Sequence, residues 1–387
     1  MLTAALALAP DWDEAHMAIG EVYYHLLPST PPPDGSVTAH FDSASSRDTS
    51  FTPPLTHLAE AAARRGDAAA VDRYLDRLRA AGADASWVRA LTILRDCLRN
   101  PAAEPWRGLV AQDPAAALGA AKAFGVTVAH PVCAELGWDA LLAHSTDLGT
   151  RWGAFLGRHG QRLAEGDDVD ALRMLDSARA AGTSAVLYLY VIDALAGAPY
   201  HTQADDVLSF AAARFGAEYE RASPVTQWIL AAWHTRRGDV ERVEMIARRL
   251  AASADSAPGS RRLALLSEAI AARVPLMRGD TTEAIRRLDA LRATARRDSL
   301  SYDFFEPLAS ERMLLAELLM ARREFRRALE VAAVFDHQEP IVFTNFLPRS
   351  LEIRAAAADS LLERRTATEF RDRLEQLTRA RASGSRR

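Results

Sequence analysis

The sequence predicts an all-α chain built from repeated helical hairpins, and three observations carry that expectation. A Gly-Asp pair recurs at Gly66-Asp67, Gly166-Asp167, Gly238-Asp239 and Gly279-Asp280, with Arg323-Glu324 in the corresponding place. Five positions after the first residue of each pair stands a small or β-branched residue (Val71, Ala171, Val243, Ala284, Ala328), and nine positions after it another apolar one (Leu75, Leu175, Ala247, Leu288, Ala332). Apolar residues recur at helical spacing almost everywhere, without the sustained two-residue alternation of an exposed sheet.

The elements follow in order. Residues 1–9 read as a helix that ends at Pro10; the segment lacks the basic start of a signal peptide. Pro28 to Ser36 carries four prolines and reads as a loop between the helices of the first hairpin. Leu58, Ala59 and Ala62 share one helix face, Gly66 supplies a left-handed turn, and Val71, Leu75 and Leu78 line the partner helix, whose start Asp67 caps. Residues 101–165 fit the pattern least, with Pro101, Pro105, Pro114 and Pro131, although helices are expected at 113–124 and 131–144. The spacing returns around Gly238 and Arg323. Ser253 to Ser260 reads as a polar connector, and residues 382–387 as a frayed tail. Gly20, Ala59, Ala231, Ala272 and Ala316 hold the same small position, where helices are expected to cross.

Composition bounds the function classes. Hydrophobic residues make up 49% and charged residues 25% of the 387, ordinary globular usage, so wholesale disorder is excluded. The net charge of −4 divides into −8 for residues 1–200 and +4 for 201–387, too thin a basic balance for a nucleic-acid groove. Arginine pairs such as Arg248-Arg249 and Arg286-Arg287 are interleaved with Glu244 and Glu283, which makes them solvated faces with local ion pairs. Cys97 and Cys133 are too few for a disulfide framework, so a reducing cytoplasm with both thiols acting as small buried hydrophobes is the expectation. No run reaches the roughly 18 apolar residues of a membrane span.

Candidate chemistry is sparse. Asp167, Asp168 and Asp170 lack the glycine and bidentate glutamate of a calcium loop and read as a cap with a favourable first-turn charge. His16 and His25 are nine residues apart instead of the four that set two imidazoles on one metal, and His130 with Cys133 has no second ligand cluster nearby. No phosphate loop, nucleophile elbow, kinase catalytic loop or zinc-protease helix is present, so no enzyme activity, cofactor or metal is expected.

The spacing at Ile19-Gly20-x-x-Tyr23, at 58–78, at 230–250 and at 315–335 resembles the tetratricopeptide repeat, a helix-turn-helix unit of about 34 residues. The resemblance implies an irregular right-handed α-solenoid of stacked antiparallel hairpins. It divides the chain into repeat-like hairpins at 1–98, a diverged helical segment at 99–165, further hairpins at 166–381 and the tail at 382–387. It also implies a non-catalytic interaction or scaffolding module, which holds a peptide or protein segment on the concave face formed by first helices. Trp228, Arg236, Tyr302 and Arg312 are the candidate contacts, while core packing is the competing role for these aromatics. The block 340–377, with Ser350-Leu351-x-x-Arg354 and Phe370-x-x-Arg373-Leu374, is similar to the last hairpin of repeat regions attached to bacterial Ser/Thr kinases and transcriptional activators. Because Met1 opens inside what reads as a second repeat helix, the alternative expectation is the C-terminal sensory or regulatory arm of such a signalling protein.

Overall fold

The computed structural model describes residues 2–21, 24, 34–101, 104–125, 131–183, 186–256, 261–291, 308–336 and 342–384. Among these the regular elements are helices alone, without a strand, and the all-α expectation holds. None of these helices is long and apolar enough to cross a membrane.

The helices run α1 Leu2–Leu8, α2 Asp13–Glu21, α3 Asp34–Arg47, α4 Pro53–Arg64, α5 Ala68–Ala80 and α6 Ala85–Arg99. They continue with α7 Glu104–Gln112, α8 Pro114–Gly125, α9 Pro131–His144, α10 Leu148–Ala164, α11 Asp168–Ala180 and α12 Leu187–Ala196. Next come α13 His201–Phe215, α14 Pro224–Arg237, α15 Val240–Ser256, α16 Arg261–Ala271, α17 Arg273–Met277 and α18 Thr281–Ala290. The last are α19 Leu308–Ala321, α20 Phe325–Ala332, α21 Phe343–Ser360 and α22 Arg364–Gly384. The helices expected at 113–124 and 131–144 are present as α8 and α9.

The recurring turn is a Schellman closure. Gly66, Gly166, Gly238 and Gly279 take φ of 74°, 73°, 77° and 84°, the left-handed region in which glycine meets no Cβ penalty. The amide after each reaches back five residues: Asp67 to the Ala62 carbonyl at 3.0 Å, Asp167 to Arg162 at 2.8 Å, Asp239 to His234 at 3.1 Å and Asp280 to Pro275 at 2.9 Å. Each aspartate then accepts the amide three residues on, from Ala70, Asp170, Arg242 and Glu283 at 2.9, 3.2, 3.1 and 3.0 Å, capping the next helix. Arg323 adopts the same turn at φ 61°, with Glu324 bonded back to Leu319 at 2.9 Å, but the longer glutamate side chain makes no cap bond. Leu362, also at φ 61° and followed by Glu363 bonded to Ala358 at 2.9 Å, is a further copy that its residue types concealed.

The positions five residues past the turn are core, and those nine past it are buried too except the half-buried Ala247. Val71, Ala171, Val243, Ala284 and Ala328 are each fully buried, and the small crossing residues Ala59, Ala231, Ala272 and Ala316 are too. Gly20 is small for a visible reason, since a Cβ there would run into the Phe41 ring.

Three expected boundaries move. Asp34, Gly35 and Ser36 belong to the first turn of α3, so that part of the 28–36 loop is helical; Pro28 to Pro33 lie outside the described residues. Helix α15 runs on to Ser256, the Ser253 hydroxyl donating to the Arg249 carbonyl at 3.0 Å, so the connector does not begin at Ser253. Residues 382–384 continue α22. A proline also breaks a hairpin arm: Pro275 has no N–H for the Ala271 carbonyl, and the chain divides there into α16 and α17.

The buried side chains form two clusters that meet on α10. Ala154 packs with the cluster that runs from Tyr24 and α3 to α9, whereas Leu156 and Leu163 belong to the cluster of α10 to α22. The first cluster is stapled by a Cys97–Cys133 disulfide joining α6 to α9 with Cα atoms 5.9 Å apart. The free thiols expected from the sequence are thus corrected, and the cytoplasmic expectation loses that support. Thirty-six residues separate the pair, and only the packing of α6, α8 and α9 brings them together.

In the second cluster, the first helices of successive hairpins pack on one another. Helix α12 touches α14, α19 and α21, and α21 returns to pack along α10. A stack in which each repeat touches only its neighbours has no such return. Helix α12 is apolar but for Asp193 and buried but for the half-buried Tyr188, as suits a central helix. Trp228 of α14 donates its indole N–H to Glu311 of α19 at 3.2 Å, and Arg273 of α17 donates to the same carboxylate oxygen at 2.7 Å.

A candidate binding cleft where the helices close

Where α21 returns to α10 the described residues line a cleft of about 200 Å³. It is bounded by the α10–α11 turn (Leu163, Gly166, Asp168), the end of α12 (Asp193, Ala196, Gly197, Ala198) and one face of α21 (Asn345, Pro348, Arg349, Glu352).

Local sequence explains each wall. Gly197 ends α12 at φ 115°, and the Ala198 amide closes back on the Asp193 carbonyl at 2.8 Å. Nothing lies within 4 Å of where a Gly197 side chain would stand, so the end of α12 is left open. Asp193 is fully buried, and its two oxygens join three helices: Oδ2 lies 2.8 Å from His159 Nε2 of α10, and Oδ1 accepts from Asn345 Nδ2 of α21 at 2.8 Å. Gly160 permits the approach, because a Cβ there would stand 2.9 Å from Asn345 Oδ1. Pro348 lies inside α21 and has no N–H to give the Thr344 carbonyl one turn earlier.

The charged residues among the described lining are Asp168, Asp193, Glu352 and Arg349; Asp193 is held by His159 and Asn345, and Arg349 is tied to Glu352 at 2.9 Å and Glu317 at 3.3 Å. The carboxyl ends of α10 and α12 open on the same space, each carrying roughly half a negative charge. Tyr200 registers this field. Burial first, then the carboxylates of Asp193, Asp168, Asp167 and Asp176, push its phenol well above its ordinary value. The Tyr200 hydroxyl donates to the Asp168 carbonyl.

The residues singled out from the sequence lie elsewhere. Trp228 is buried in α14 with its N–H committed to Glu311, and Arg312 is buried in α19 and donates to the Leu291 carbonyl. Their surroundings match the core-packing role. Arg236 is exposed at the end of α14, its Nη2 3.5 Å from the Leu195 carbonyl and so beside Ala196 of the cleft. Tyr302 lies outside the described residues. Of the lining residues the sequence had singled out Gly166, as a turn, and Asp168, as a first-turn charge; Asp193, alone among the apolar residues of Leu187–Ala196, was the available signal for the rest. Among the described residues no group of three or more His, Cys, Asp or Glu is arranged to hold a metal ion.

No protein-family model matches the chain, and no curated protein matches it.

Proposed function

We propose that this chain is a non-catalytic interaction or scaffolding module, an irregular array of helical hairpins that captures a segment of a protein partner. The observation that carries the reading is the position of the cleft: its walls are the first helices α10, α12 and α21 with the turn that follows α10, and in hairpin arrays the first helices form the recognition face. The second helices carry exposed ion pairs such as Glu283 with Arg286 and Arg287. The His159–Asp193 pair could suggest acid–base chemistry, but His159 does not line the cleft and the pair holds α10 to α12.

Photo-crosslinking distinguishes the faces. A photoreactive residue at position 352 should trap a defined partner from lysate of the source cells, whereas one at Arg248, exposed on α15, should not. Repeated recovery of no partner from position 352, or of the same proteins from both positions, would remove the reading.

A further inference from the structure

We infer that the contact between α2 and α3 is an acid-sensitive latch, made by two imidazoles that face each other and can share one proton but not hold two. His16 of α2 and His40 of α3 meet through their Nδ1 atoms at 2.9 Å, with the rings tilted by 43°. Two nitrogens at that distance need one N–H and one lone pair between them. The far side of the His16 ring decides which is which. Its Nε2 lies 3.0 Å from the Pro10 carbonyl, which can only accept, so Nε2 carries a hydrogen. In the neutral pair His16 Nδ1 is therefore the acceptor, and His40 Nδ1–H donates to it. The pair takes up protons in two steps, and the first still leaves one hydrogen between the rings. The second puts an N–H on each Nδ1, so two like-charged donors point at one another across the joint.

The elements packed around the joint set its response. Helix α1 has no titratable side chain, and Asp13 and Glu14 open α2 ahead of His16 without an ion pair to either ring. Further along α2, Glu21 is held by His57 of α4, which also holds Glu60; on α3, Asp42 lies by Arg77 and Arg65. Burial first, then the charge on His16, lowers the pKa of His40 below its ordinary 6.5. A base whose folded value lies below its unfolded one adds stability that is complete above pH 6.5 and is lost as pH falls toward the folded value. His57 responds in the opposite sense, because its charge is what binds Glu21 and Glu60. Helix α2 thus hangs on two imidazole joints, of which the one to α3 fails in acid. Its opening draws Gly20 away from the Phe41 ring, which is otherwise fully buried, and takes along α1, which packs on α2. Acid then turns the first hairpin into an exposed apolar surface.

Hydrogen exchange of the full chain, corrected for the intrinsic pH dependence of amide exchange, tests the latch. Below pH 6.5, protection of residues 13–21 should fall about tenfold per pH unit, the slope of one proton taken up on opening, until the lowered His40 value is reached. Residues 224–237 of α14, in the other buried cluster, should keep theirs over the same range. In His40→Gln the amide can donate to His16 Nδ1 or, turned over, accept from it, so both protonation states of His16 fit and the fall should vanish. Long-range proton–nitrogen spectra of the wild type read the hydrogens without any variant. At about pH 7.5, one unit above the unperturbed value, His16 should show the Nε2–H tautomer and His40 the Nδ1–H tautomer. Protection of 13–21 that does not change down to about pH 5, or a fall of equal slope in His40→Gln, would overturn the inference. So would both rings doubly protonated on an α2 that stays protected.

Discussion

His57 sits between two carboxylates, 2.7 Å from Glu21 and 3.1 Å from Glu60, with Tyr24 donating to Glu60 and the Phe41 ring stacked on the imidazole. Burial alone would lower its pKa; the hydrogen bonds and charges of Glu21 and Glu60 overcome that and raise it from 6.5 to about 9. A folded pKa above the unfolded one stabilises the protein fully below pH 6.5 and loses that contribution as pH rises through 9. The shift corresponds to on the order of 3 kcal/mol. Urea midpoints taken from pH 6 to 10 should therefore fall across the interval from about 6.5 to 9 in the wild type and stay flatter in His57→Gln. An equal slope in both would show that the pair of carboxylates does not hold a charged ring. Arg323 makes a second residue-scale point. An L side chain at φ 61° bears a left-handed penalty of about 1–2 kcal/mol, partly offset on replacement by glycine's greater unfolded freedom. Arg323→Gly should raise the unfolding free energy by about 0.5–1 kcal/mol, read as a higher denaturant midpoint at an unchanged slope. A lower midpoint would mean that the arginine makes a contact worth more than its strain.

At the scale of elements, what the sequence made legible was what neighbouring residues decide. The left-handed glycine, the aspartate cap and the small crossing residue act within one hairpin, so Gly66-Asp67 and Ala59 announce their roles through spacing alone. Arg323 was readable only because the flanking apolar positions kept their count, and Leu362 was not readable because nothing in its own chemistry asks for φ 61°. The disulfide was beyond reach for the same reason. Cys97 and Cys133 meet through the packing of three helices, which no count of cysteines encodes. Its contribution can be sized: closing a loop of 36 residues restricts the unfolded chain by about 4 kcal/mol in the chain-entropy treatment, commonly less in practice. Replacing both cysteines by alanine should lower the stability of the α4–α9 cluster by about 2–4 kcal/mol, and a thiol reductant should lower the wild type alone. A reductant effect of the same size in the double variant would assign it to something other than this bond.

The candidate site belongs to the largest scale, and there the sequence was nearly silent. Asp193 and Asn345 are 152 positions apart, and no local pattern places them 2.8 Å from each other. What the fold adds is closure: α21 reaches back to α10 and α12, so the second half of the chain is coupled across its length. The consequence is measurable. In an array of nearest-neighbour repeats, damage to α21 would be felt in α19, α20 and α22 and fade beyond them. Here Asn345→Ala removes the donor from a fully buried Asp193 oxygen, and an orphaned buried acceptor costs about 1–3 kcal/mol. Asp193 in turn fixes His159, so the loss falls on α10 and α12 at once. Hydrogen exchange of the variant should therefore quicken in residues 156–164 and 187–196 as much as in 343–355, while α4–α6, in the other buried cluster, keep their rates. Protection lost only between α19 and α22 would show instead that the hairpins act as an open chain of neighbours, and the cleft, whose walls are α10, α12 and α21, would then be a passing gap and no built site.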